Sequence, residues 1–157
     1  MAFIRHAKPP PSIPSKLFVT NNCSGGLSPP TYWSMADHAR FEKLVAEAKK
    51  KIVEISPKDA AAKSKSGEAV ILDVREKDEW DDEHISDAIH MGRGTIELDV
   101  EEKVPDMNAM IICHCGGGGR SALAAESLQK MGYKNVQSMA GGLKAWKTIG
   151  LPTTKGL

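Results

Sequence analysis

Long apolar runs are absent from this sequence. The longest, Ala109-Met110-Ile111-Ile112-Cys113, has five residues, and a membrane-spanning helix needs about 20. A transmembrane helix is thereby excluded. An excess of positive charge is absent too. The 157 residues carry 21 basic and 20 acidic side chains, a formal net charge of +1, whereas nucleic-acid binders and membrane-surface proteins concentrate cations. Neither a nucleic-acid nor a membrane partner is expected. Paired cysteines are also missing. Cys23, Cys113 and Cys115 are odd in number, which does not make a disulfide framework. A bond between Cys113 and Cys115 would close a strained ring, and Cys-His-Cys lacks the second ligand pair of a zinc site. No metal and no other cofactor is expected. A reducing compartment, the cytoplasm, with one reactive thiol fits this usage.

Acidic residues are lacking in one stretch. Residues 1–36 hold Arg5, Lys8 and Lys16 and no acid, a local charge of +3. They also hold Pro9-Pro10-Pro11 and Pro29-Pro30 and no periodic apolar pattern. Such a segment reads as a disordered leader, either an upstream artefact or a targeting segment. Its lack of acids fits an organelle transit peptide, and residues 1–34 would then redirect the protein to an organelle. Met35-Ala36-Asp37 is a plausible native start. The remaining residues carry a charge of −2. They divide into 37–55, an N-terminal helix packing on the domain, and 56–157, the domain itself.

What is present in that domain is an alternation of helical and strand patterns. Phe41, Leu44, Val45, Ala48 and Ile52 recur at helical spacing behind Asp37, a candidate cap. A short strand follows to Ile55. Ser56-Pro57-Lys58-Asp59 opens a second helix with a capping serine and proline in the first turn. Ala69–Val74 and Ala109–Cys113 are near-continuous apolar strands, as in a parallel sheet covered on both faces. Short helical segments are expected over 76–83 and 97–103, short strands at Ile89-His90-Met91 and over 136–139, a longer helix from Ser121 to Met131, and a last helix after Gly141-Gly142. The pattern implies an α/β fold of three layers, with a mostly parallel central sheet flanked by helices on both faces.

The glycines point to the chemistry. Four of the 14 are consecutive, within Cys115-Gly116-Gly117-Gly118-Gly119-Arg120. This loop joins a buried strand to a helix, and the C-terminal end of a parallel strand is where open α/β sheets place ligands. Successive glycines let backbone N–H groups converge into an anion nest, and the following helix adds its partial positive charge. A thiol there is pushed toward thiolate, the reactive form. Arg120 adds a bidentate cation. Nucleophile, cradle and cation are thus within six residues. A binding turn without covalent chemistry remains the alternative, although the loop lacks the Lys-Ser/Thr pair of nucleotide-binding loops.

At these residues the sequence resembles the rhodanese family of sulfurtransferases, over roughly Ser56 to Thr153. The first matching segment is Asp73-Val74-Arg75-Glu76 with Trp80 and His84-Ile85-Ser86-Asp87-Ala88-Ile89-His90, where Asp87 replaces the usual glycine. The second is the Cys115–Arg120 loop with Ser121. The third is Met139-Ala140-Gly141-Gly142-Leu143-Lys144-Ala145-Trp146. The resemblance implies that Cys115 takes the outer sulfur of thiosulfate or another persulfide donor and becomes a persulfide. Gly116, Gly117, Gly118, Gly119 and Arg120 would cradle it, with Arg75 as a further substrate-binding residue, and a thiol or cyanide would accept the sulfur. The protein would be a monomer. The related phosphatases and arsenate reductases have five residues between Cys and Arg; here there are four. Arg120 is the only charge of the loop, so a protein persulfide or glutathione persulfide stands beside thiosulfate as donor. A non-enzymatic interaction or sulfur-carrier module is the alternative in the same fold.

Other residues have roles expected from position. Arg75 either acts electrostatically at the site or pairs with a nearby acid such as Glu79. Asp73 is expected to be structural, accepting backbone or Arg hydrogen bonds, and His84 to stabilise the fold. Cys113, Trp80 and Trp146 are expected to pack. His114 should point away from Cys115 if strand alternation holds.

Overall fold

The structure is a computed structural model and describes residues 38–156. The 1–36 leader and the expected cap Asp37 lie outside the described residues. Helix α1, Ala39–Lys49, begins after His38 without a side-chain cap. It ends before Ile52, yet Ala48 and Ile52 are both buried. Strand β1, Val53–Ile55, leads into α2, Pro57–Lys65. Ser56 caps α2 as its sequence suggests: its Oγ accepts the Asp59 N–H at 3.1 Å, satisfying one of the donors that a helix start leaves unpaired.

Then come β2 (Ala69–Asp73), α3 (Lys77–Asp82), β3 (Ile89–His90), α4 (Ile96–Lys103), β4 (Met110–His114), α5 (Gly119–Lys130), β5 (Asn135–Met139) and α6 (Gly142–Thr148). Helix α5 starts two residues earlier than its apolar pattern indicates. Glycine carries no side chain with which to signal a helix, so Gly119 and Arg120 read as loop. Arg120 therefore belongs to the first turn of α5.

The five strands form one sheet in the order β1-β5-β4-β2-β3, with every pairing parallel. Alternation along the central strands divides the core. Leu72, Val74, Ile111, Cys113 and Cys115 face one side, where α1, α4 and α5 supply Ala48, Ile96, Val100, Ala122, Ala125 and Leu128. Ile71, Ile112 and Met139 face the other, where α2 and α6 supply Ala60, Leu143 and Trp146. Burying each such Ile or Leu fully contributes roughly 1.5–3 kcal/mol. This is the three-layer α/β architecture with helices on both faces. Helix α5 leaves β4 toward one face and α6 leaves β5 toward the other. Both helices start at the C-terminal ends of their strands, the end at which such sheets bind ligands. No helix among the described residues is long and apolar enough to cross a membrane.

Candidate active site

Cys115 follows the last residue of β4. It is 1% exposed. The chain turns sharply enough through Gly116 and Gly117 to bring the Gly118 N–H to 3.1 Å from Cys115 Sγ. Gly118 has φ +93° and occupies the N-cap position of α5, a conformation that L side chains rarely adopt. Helix α5 has no side-chain cap and no acid in its first turn. Its partial positive charge is thus directed at the sulfur.

Two serines extend the contact. Cys115 Sγ lies 3.6 Å from Ser121 Oγ, and Ser121 Oγ shares a 2.9 Å hydrogen bond with Ser138 Oγ; both serines are fully buried. Sequence reasoning noted Ser121 only as part of a motif and passed over Ser138. The available signal was positional: Ser121 sits in the first turn of the helix that the cysteine faces.

The loop is held from behind by α6. Leu143 N–H donates to the Cys115 carbonyl at 2.7 Å and Lys144 N–H to the Gly116 carbonyl at 3.1 Å. This close approach explains Gly142. A Cβ there would lie 2.2 Å from the Cys115 oxygen, and its φ is +56°.

Arg120 does not face the pocket with a free charge. It forms a bidentate pair with Glu79, at 2.6 and 2.8 Å. The Arg120 hydrogen bonds hold the Glu79 carboxyl below its usual range, and Glu79 pushes the Arg120 guanidinium up. Glu79 sits three residues into α3, where it also accepts the Glu76 N–H in a capping box.

The acid that meets Arg75 is Asp73 rather than Glu79. Arg75 is 5% exposed; its Nε lies 2.9 and 3.0 Å from the two Asp73 oxygens, and its Nη2 donates to Asp73 at 2.6 Å and to the Glu83 carbonyl at 2.7 Å. Asp73 is structural in the expected sense, with no exposure. The parallel register sets Asp73 beside His114, whose Nε2 lies 3.4 Å from Asp73 Oδ2. Among the described residues no group meets hydrogen-bond geometry with either ring nitrogen of His114. Burial holds its pKa below the ordinary histidine value, and strand alternation aims it at the face opposite Cys115. Cys113 packs in the core, its pKa pushed up to about 12 by burial, with the Cys115 charge adding to the shift. Trp80 stacks on His84, centroids 3.7 Å apart, while His84 Nδ1 meets the Trp80 carbonyl at 2.9 Å. Trp146 is buried and donates from Nε1 to the Pro152 carbonyl.

A pocket of about 330 Å³ opens over the thiol, lined by Phe41, Val45, Lys49, Cys115, Gly117, Gly119 and Arg120. Arg75, Gly116 and Gly118 do not line it. Gly116 borders a separate surface hollow with Leu143, Lys144 and Lys147. The contribution of α1 was not foreseen, because its spacing announces only a packed helix. Among the described residues no group of three or more His, Cys, Asp or Glu side chains could hold a metal.

Comparison with known proteins agrees with this fold. The chain is 33% identical over 94 residues to the thiosulfate sulfurtransferase GlpE of Coxiella burnetii, covering 60% of this chain and 86% of that protein. It superposes with a TM-score of 0.65 and 30% identity on the polysulfide-sulfur transferase homodimer of Wolinella succinogenes, covering 74% and 88% of the two chains. A Rhodopseudomonas palustris protein described as of unknown function and a possible tyrosine phosphatase superposes with a TM-score of 0.65 and 32% identity, covering 73% and 93%. The family profile for the rhodanese-like domain matches residues 56–149, which takes in the loop, the Arg75 and Trp80 segment and the glycine pair of α6. The chain belongs to the rhodanese-like domain family.

Proposed function

We propose that the protein is a sulfurtransferase that carries sulfane sulfur as a persulfide on Cys115. The observation that carries this reading is the Gly118 N–H, 3.1 Å from Cys115 Sγ at the uncapped start of α5. A sulfur placed there meets an N–H donor and a partial positive charge, the environment that stabilises thiolate and persulfide anions.

In the first step the Cys115 thiolate attacks the outer sulfur of the donor. With thiosulfate, the donor S–S bond breaks, its electron pair leaves on sulfite, and a new S–S bond forms on Cys115. The Gly116–Arg120 backbone cradles the bound sulfur, and Ser121 donates to whichever sulfur carries the charge. In the second step an acceptor thiolate or cyanide attacks that outer sulfur, and the electron pair returns to Cys115. The intermediate is covalent, so ping-pong kinetics follow. Arg120 orients an anionic donor at the mouth. Arg75 acts through Asp73, holding the end of β2 beside the loop. The reaction requires a reduced thiol, which supports the cytoplasm as its compartment, and one chain supplies every group, which supports a monomer.

Intact-mass measurement after treatment with thiosulfate tests this reading. One added sulfur atom is expected, removed by cyanide and absent in Cys115→Ser. No adduct from any sulfane-sulfur donor would overturn it. An adduct that forms without turnover would instead support a carrier role. The phosphatase reading, suggested by the Rhodopseudomonas palustris relative, conflicts with four rather than five residues between Cys115 and Arg120; hydrolysis of an aryl phosphate would restore it.

A further inference from the structure

We propose that α1 sets substrate specificity at Cys115, with Phe41 and Val45 forming an apolar wall. This wall selects sulfur donors that carry an apolar organic group beside the transferable sulfur over small inorganic anions. The inference rests on the sulfurtransferase reading and names the class of donor.

Helix α1 lies outside the family-matched residues 56–149, yet three of the seven residues lining the pocket belong to it. Its position is fixed by the core. Ala48 and Ile52 are buried against α5 and the sheet, and Lys51 Nζ donates to Glu126 on α5 at 2.7 Å. This anchoring brings Phe41 onto the catalytic loop. A Cβ on Gly119 would lie 3.0 Å from Phe41 Cζ and 3.4 Å from Val45 Cγ2. Ring and loop are therefore in contact only because residue 119 has no side chain. Phe41 remains 42% exposed, so part of an aromatic face is left toward the opening. A substrate group that covers it removes apolar surface from water.

The charges at the same mouth point the same way. Arg120 is paired with Glu79, and Lys49 lies 2.7 Å from Glu54. Thiosulfate, a small dianion, would have to compete with those carboxylates for each cation. An aryl thiosulfonate has one charge to accommodate and a ring to place on Phe41. Its chemistry balances in the same manner: the Cys115 thiolate attacks the outer sulfur, the S–S bond breaks, the electron pair leaves on the aryl sulfinate, and Cys115 becomes the persulfide.

The test compares benzenethiosulfonate with thiosulfate, using the full chain and cyanide as acceptor. The readout is the ratio of their kcat/KM values. Wild type is expected to favour the aryl donor. Phe41→Ala should lower that ratio about tenfold, since a lost apolar contact changes discrimination by about 10–200-fold. Phe41→Leu should keep most of the ratio, and Phe41→Lys should move it further toward thiosulfate than Phe41→Ala does. A wild type that prefers thiosulfate, or a ratio unchanged in all three variants, overturns the inference even where both rates fall together. A wild type that gains no sulfur from either donor by intact mass overturns this inference, and one that gains none from any sulfane-sulfur donor overturns the sulfurtransferase reading with it.

Discussion

Arg120 and Glu79 show how a residue identified from a motif takes its working charge from a partner in another segment. The motif places a cation six residues into the loop; the fold places a carboxylate on it from α3, 41 positions away in sequence. Glu79→Gln tests the consequence. Glutamine can keep the capping-box acceptor of α3 while losing the negative charge, which leaves Arg120 for an anionic donor. A charge pair this exposed is worth about 1 kcal/mol after screening, so KM for thiosulfate should fall about fivefold at low ionic strength and less at high salt. Steady-state kinetics at two salt concentrations would show it, and an unchanged KM at low salt would refute it. The run from Cys115 through the glycines to Arg120 was legible as one motif because its residues are contiguous. The pairing of Arg75 with Asp73 was half legible: an ion pair was one of the two roles expected for Arg75, and the acid it meets lies two residues away on the same strand end, to which the guanidinium folds back.

At the scale of elements, α6 is a brace for the loop that follows β4. Two N–H groups of its first turn reach the Cys115 and Gly116 carbonyls, and Gly142 permits that distance. Gly142→Ala would put a methyl group 2.2 Å from the Cys115 oxygen at φ +56°. Neither the loop nor the helix has a flexible side chain that could yield. The variant is expected to lose about 3 kcal/mol or more, combining overpacking with left-handed strain. Urea unfolding would measure this, and sulfur loading should fall with it because the cradle shifts. A variant of native stability would show that α6 can move away without cost. Helix and strand positions were largely readable from periodicity, as at Ser56-Pro57 and along Ala69–Asp73. The start of α5 was not, because two of its first-turn signals are absent: Gly119 has no side chain and Gly118 offers no capping oxygen.

At the scale of the whole molecule, the buried group His114–Asp73–Arg75 ties the sheet centre to pH. Burial holds the His114 pKa below the ordinary histidine value of 6.5, against the opposing pull of Asp73, while Arg75 also lowers it. The unfolded chain therefore takes up this proton as pH falls through 6.5, and the folded chain does not. Stability contributed by the neutral ring is complete above 6.5 and is lost downward from there until the folded pKa is reached. Between pH 7.5 and 5.5 the unfolding free energy should therefore decline as pH falls. The lowered carboxyls, Glu79 and Glu83, lose their contribution only at lower pH, as their folded values are passed. His114→Gln should flatten the decline in urea-unfolding free energy over this window. An equal decline in the variant would assign it to another group.

What the sequence by itself determined is whatever acts along the chain: the alternation of periods that makes a parallel three-layer fold, the capping of α2, and a thiol set before consecutive glycines and a helix. Those depend on neighbours within a few residues, and a linear reading reaches them. What only the tertiary structure decided is how separated segments meet around the loop that follows β4. Glu79 neutralises Arg120, Ser138 backs Ser121, α6 grips the loop, and α1 walls the pocket with Phe41. Each of these follows from sheet order and helix packing, which bring together residues that carry no mark of one another in the chain.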